Sequence, residues 1–173
     1  MTAQAAYWFL PAVIPLALYI SWNDMRTMKI TNYSVYALVL AYALLGPFAF
    51  GLEMYLWQWL HLPVVLVVCM ALWALRVMGA GDAKLIAAMS VFFVTADADL
   101  ILRIFVASLL GALTIHSIFR FSPLKNLVPE WKSWNATSDT LRTLGSKSSL
   151  TFPKGFPLSM TLLFYLLAIA IYR

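Results

Sequence analysis

The sequence predicts an all-α, multi-pass membrane protein: six transmembrane helices forming a single domain over residues 1–173, with both termini outside the cell membrane. Three observations predict it. First, 63% of the residues are hydrophobic and only 11% are charged, against about 25% charged in an ordinary soluble domain, and the mean hydropathy is +0.85. Second, the apolar residues fall into runs of helix-spanning length. Third, the basic residues gather in the connectors of one side. A soluble domain, a disordered chain and a coiled coil are all excluded, because so few charges cannot cover so much apolar surface in water. One cysteine, Cys69, excludes a disulfide framework and a cysteine-based zinc site. The net charge of +5 is modest; lipid is the expected surroundings, and no nucleic-acid partner is expected.

The runs are read at about 5–22, 33–50, 57–77, 83–96, 100–119 and 156–172. A helix rises about 1.5 Å per residue, so about 20 residues cross a hydrocarbon core of about 30 Å. Five runs meet that length or nearly do. The first lacks the basic start of a cleavable signal peptide, since no Lys or Arg precedes Arg26. The fourth is short, with uncharged residues only from Leu85 to Ala96, about 18 Å of helix. Charge settles its reading. If all six runs span, the connectors of one side hold Arg26, Lys29, Arg76, Lys84, Arg120, Lys125, Lys132, Arg142, Lys147 and Lys154, which is ten of the 12 basic residues. The positive-inside rule makes that side cytoplasmic. The other side keeps Arg103, Arg173, Glu53, Asp97 and Asp99. The long connector 120–155, with Pro129, Trp131 and Trp134, is then cytoplasmic. It is read as an interfacial hairpin or a lid whose acids Glu130 and Asp139 pair locally with a basic substrate.

Ionisable residues at membrane depth are costly and are therefore candidates for function. Two acids meet this test on the cytoplasmic side. Asp24 closes the first run and Asp82 stands in Gly79-Ala80-Gly81-Asp82-Ala83-Lys84. Each has a plain structural reading as well. Asp24 with Arg26 and Lys29 makes a solvated rim. Gly79 at positive φ ends the third helix, Gly81 permits close approach, and Asp82 caps the fourth helix. The pair points further, because two carboxyls at one membrane edge suit aspartic protease chemistry, one activating water while its protonated partner polarises the scissile carbonyl. A short fourth helix would leave a recess floored by Asp82 and walled by the first and third helices. Elsewhere, His116, Cys69, Met70, Met78 and Met89 read as packing. Arg103 reads as pairing with Asp99 at i,i+4. Trp57, Trp59 and Tyr172 read as an interfacial belt. Asp97 and Asp99, at the far end, serve as inert controls.

Three stretches resemble the type IV prepilin peptidase family, membrane aspartic proteases of the GxGD kind. Asp24-Met25-Arg26-Thr27-Met28-Lys29-Ile30-Thr31-Asn32 is similar to the family's D-x-R-x-x-x-I-P-N, with Thr31 in place of the proline and hence a first turn expected to be shaped differently. Gly79 to Lys84 matches G-x-G-D-x-K in full. Phe152-Pro153-Lys154-Gly155-Phe156-Pro157 is similar to the lead into the family's last helix. The resemblance implies catalytic Asp24 and Asp82, supported by Gly79, Gly81, Lys84, Arg26 and Asn32. It implies a prepilin substrate with a short basic leader and an apolar helix, and no metal or organic cofactor. The chain's size is like that of the short peptidases of tight-adherence (Flp-type) pilus systems. It lacks the paired CxxC insertion of longer members, so no N-methyltransferase activity is expected. Archaeal preflagellin peptidases share the plan and are the alternative within the family. A GxGD protease cutting within the bilayer is disfavoured by Asn23, where such enzymes carry Tyr before the first aspartate. The rival outside the family is a non-enzymatic proton-coupled carrier or channel subunit using the same two acids. Carriers place such groups near the midplane, whereas these sit at one face.

Overall fold

A computed structural model describes residues 1–123, 126 and 153–173. The proposed roles of Trp131, Trp134, Glu130 and Asp139 fall outside the described residues. Seven α-helices are described: α1 Ala3–Thr27, α2 Asn32–Ala49, α3 Leu52–Trp59, α4 His61–Ala74, α5 Ala80–Ser90, α6 Ala98–Phe121 and α7 Gly155–Tyr172. The stretches Ala3–Thr27, Asn32–Ala49, Leu52–Ala74, Thr95–Phe119 and Gly155–Tyr172 are each long and apolar enough to cross a membrane. The protein is thus an all-α, multi-pass membrane protein.

The third run differs from its reading in two ways. It begins earlier, with α3 at Leu52, and it breaks at Leu60. Pro63 marks the break, since proline is tolerated in a helix's first turn, where its missing N–H has no partner to lose. The run also ends earlier. Arg76, at φ 60°, is the left-handed residue. The Val77 N–H donates to Leu72 O at 3.0 Å and the Arg76 N–H to Trp73 O at 2.9 Å, the paired bonds that close a helix C-terminus. Gly79 therefore does not end the helix: it has φ −77° and stands as the extended N-cap of α5.

The fourth run yields only the 11 residues of α5, about 16 Å of helix. Residues 91–94 beyond it are non-helical, and backbone of that kind at membrane depth is tolerated only where protein covers it. That cover is present. Gln58 Nε2 donates to Phe93 O at 3.2 Å and the Val94 N–H reaches the Tyr165 hydroxyl at 3.5 Å. Phe92 is fully buried, with ring centroids 5.1 Å from Phe9 and 5.5 Å from Tyr42. Trp59, partly buried, packs edge-on to Tyr42 against this aromatic cluster, whereas Trp57 and Tyr172 are exposed.

Helix α7 packs most heavily on α1 and also on α6; α5 packs chiefly on α4, then on α2 and α7. The outward faces of α4 and α6 carry Val64, Val67, Val68, Leu102, Val106 and Leu110, the apolar surface a lipid-facing helix needs. At the end of the bundle opposite Asp24, the buried Asp97 binds the Met1 ammonium at 2.9 Å, Arg173 at 2.7 Å and the Tyr165 hydroxyl at 2.8 Å. Asp99 pairs with Arg103 at 2.6 Å, both exposed, as the i,i+4 spacing predicts.

Candidate active site

The end of the bundle holding Asp24 opens into a cleft of about 390 Å³. Its lining comes from three segments: Asp24, Met28, Lys29 and Ile30 from the end of α1 and its link to α2; Gly79, Gly81 and Asp82 from the start of α5; Pro153 and Lys154 before α7. The recess is therefore walled by the α1–α2 link and the lead into α7. The third helix supplies no lining residue, a correction to the expected wall. Its C-terminus closes at Ala74, with five residues before α5 begins.

Asp24 is buried in the last turns of α1. Its Oδ2 accepts the Gly155 N–H at 2.7 Å and the Phe156 N–H at 3.3 Å. These are two of the free amides that begin a helix, where backbone dipoles favour an acid. The chain leaves α1 through Met28 in the left-handed region at φ 55°, an uncommon conformation for a residue other than glycine. The turn is held by the Met28 N–H on Asp24 O at 2.8 Å and by Asn23 Nδ2 on Lys29 O at 2.7 Å. Thr31 then caps α2 at φ −76°, a value proline adopts freely. At this position the backbone thus already has an angle open to proline.

Asp82 is half-buried in the first turn of α5. It is not the N-cap, as the sequence suggested, but stands three residues after it, with its carboxylate directed back to the Gly79 N–H. That is one half of a capping box. The Lys154 charge and the Gly79 amide both bear on its carboxyl. A Cβ on Gly79 would stand 3.2 Å from Asp82 Oδ2, and one on Gly81 3.4 Å from Ile30 Cβ. Both glycines serve close approach, and positive φ is not involved at Gly79.

The remaining motif residues divide. Lys84 Nζ donates to Asn32 Oδ1 at 3.3 Å. The two motifs thus meet a second time, outside the cleft, in a bond that ties α5 to α2. Arg26 is exposed and does not line the cleft. Sequence reasoning missed the role of Gly155 and the presence of Lys29, Ile30 and Lys154 in the lining. Chemically, the cleft offers two carboxyl groups on different helices and the exposed lysines Lys29 and Lys154 in its lining. Among the described residues no cluster of three or more His, Cys, Asp or Glu could hold a metal ion.

A sequence profile of the type IV leader peptidase family matches residues 12–116, well over half of the chain and inclusive of both cleft aspartates. No curated protein and no solved structure matches.

Proposed function

This chain belongs to the type IV leader peptidase family, and we propose that Asp24 and Asp82 are the catalytic pair of its cleft. Membership makes it an aspartic-type endopeptidase of the prepilin peptidase class, a multi-span protein of the cytoplasmic membrane. One observation carries the assignment of the pair: two carboxyls from separate helices line the same cleft at one end of the bundle. In such a site both groups resist ionising together, so they share a proton. The ionised member takes a proton from water as the water oxygen bonds to the scissile carbonyl carbon. The protonated member donates to the carbonyl oxygen. The tetrahedral intermediate then collapses as the amide nitrogen is protonated and the C–N bond breaks.

The substrate on this reading is a prepilin of the Flp type, with a short basic leader in the cytoplasm and an apolar helix in the membrane, cut at the junction between them. No methyl transfer follows the cut. The chain crosses the membrane six times, α5 and its following turn making the short fourth crossing, with both termini outside and the cleft facing the cytoplasm. The distribution of charge supports this topology. Arg26, Lys29, Arg76, Lys84 and Lys154 fall at or beside the cleft end, and Glu53, Asp97 and Asp99 at the other.

The test is co-expression with candidate prepilins. Wild type should give a leader-sized mobility shift. Asp24→Asn and Asp82→Asn should each lower cleavage by about 10³-fold or more while leaving abundance unchanged, and the double variant should be no worse than either. Wild-type rates in either single variant would remove that aspartate from the mechanism. Impermeant labelling of cysteines placed at Ser133 and Ser146 tests the topology: labelling in intact cells would overturn it.

A further inference from the structure

The family match ends at residue 116, yet the cleft is completed by residues far beyond it. We infer that the lead into α7, residues 154–156, is a positioning arm of the active site: its amides anchor Oδ2 of Asp24 and leave Oδ1 as the oxygen offered to the reaction. The inference rests on the catalytic pair proposed above.

Three observations support it. Gly155 and Phe156 both donate to the same oxygen, Oδ2, at 2.7 and 3.3 Å; among the described residues Oδ1 accepts no hydrogen bond, and Asp24 lines the cleft. A carboxylate bound on one oxygen by two amides of a helix start cannot rotate without losing both, so its plane is fixed before substrate arrives. Next, position 155 admits only glycine without movement. A Cβ there would stand 3.0 Å from both Cγ and Oδ2 of Asp24 and 3.1 Å from Ile30 Cδ1, tight enough that the carboxylate and Ile30 would have to give way. The α7 backbone therefore lies close against the carboxylate. Finally, the seam is keyed one turn deeper. Ser21 and Ser159 hydroxyls meet at 2.8 Å, and Ser159 also donates to Gly155 O at 2.8 Å. That contact sets the register of α7 against α1, and with it the height of the two amides on Asp24.

The role predicts loss of rate without loss of binding. With purified enzyme in lipid nanodiscs and a membrane-anchored prepilin, Gly155→Ala should lower kcat by about 3–10-fold, less than the roughly 100-fold of a full 1 Å misplacement, with KM within about twofold. Phe156→Pro deletes one amide donor at a position where a helix tolerates proline. It should retain several-fold less kcat than Phe156→Leu, which keeps the donor. If Gly155→Ala does not accumulate in the membrane, the Phe156 pair decides alone. Wild-type kcat in Gly155→Ala, equal kcat in Phe156→Pro and Phe156→Leu, or a raised KM at unchanged kcat would each overturn the positioning role. If Asp24→Asn is inactive in the same assay, such a result sinks only this inference. If Asp24→Asn is active, the catalytic pair itself has failed.

Discussion

The carboxylate of Asp24 accepts the backbone amide of Gly155 at 2.7 Å across 131 residues of sequence. One bond thus joins the end of the first helix to the start of the last, and it is made by the group proposed to carry the chemistry. Mutations near this junction should therefore alter rate more than stability, whereas those at the opposite end should do the reverse.

The two motif glycines separate by what faces them. Gly79→Ala would set a methyl 3.2 Å from Asp82 Oδ2, whereas Gly81→Ala would meet Ile30 at an ordinary 3.4 Å. Gly79→Ala should lower kcat by about tenfold or more, and Gly81→Ala should be milder. Gly81→Val adds γ-carbons against Ile30, a lining residue, and should be severe. Steady-state kinetics on the three variants checks the order, and a harmless Gly79→Ala would contradict it.

Asp97 and Asp99, two residues apart, carry opposite expectations. Asp97 is 2% exposed and binds an ammonium, a guanidinium and a phenol; removing one member of a buried charge set costs about 3–5 kcal/mol. Asp97→Ala should lower the melting temperature sharply. Asp99→Ala removes an exposed pair with Arg103 and should cost under about 1 kcal/mol. Residual cleavage by whatever folded Asp97→Ala remains should run at the wild-type rate per molecule.

Thr31→Pro should be tolerated. The backbone is already at φ −76°, and proline at a compatible site contributes about 0.4–1 kcal/mol through the unfolded chain. The lost bond from Thr31 Oγ1 to Ser34 Oγ, at 2.9 Å, offsets part of that. Stability within about 1 kcal/mol of wild type is expected in denaturant melts; collapse of the fold would mean that the Thr31 amide has a necessary partner.

Much of this was legible in the sequence because membrane solvent makes apolar runs and stranded acids conspicuous. Asp24 and Asp82 stand out as carboxyls where apolar helices end, and the Lys84 and Asn32 of their motifs meet each other. The break at Leu60 is hard to read because no charge and no glycine stands at it; Gln58, His61 and Pro63 are the local signals. Asp97 and Asp99 are placed alike at the far end by the sequence, which does not separate the buried acid from the exposed one; burial depends on the chain closing over the first and not the second. The Gly155 contact was beyond reach for a deeper reason. It is made by a backbone N–H, which every residue but proline possesses, so no side chain advertises it.

The pairing of helices gives the site a mechanical character. Asp24 rides on α1, which is mated to α7 and α2; Asp82 rides on α5, which is seated chiefly on α4. The two carboxyls thus belong to opposite jaws of a vice, and among the described residues α2 and α7 touch both. A small slide of the α4–α5 pair as a unit would open or close the jaws without disturbing the packing inside either one.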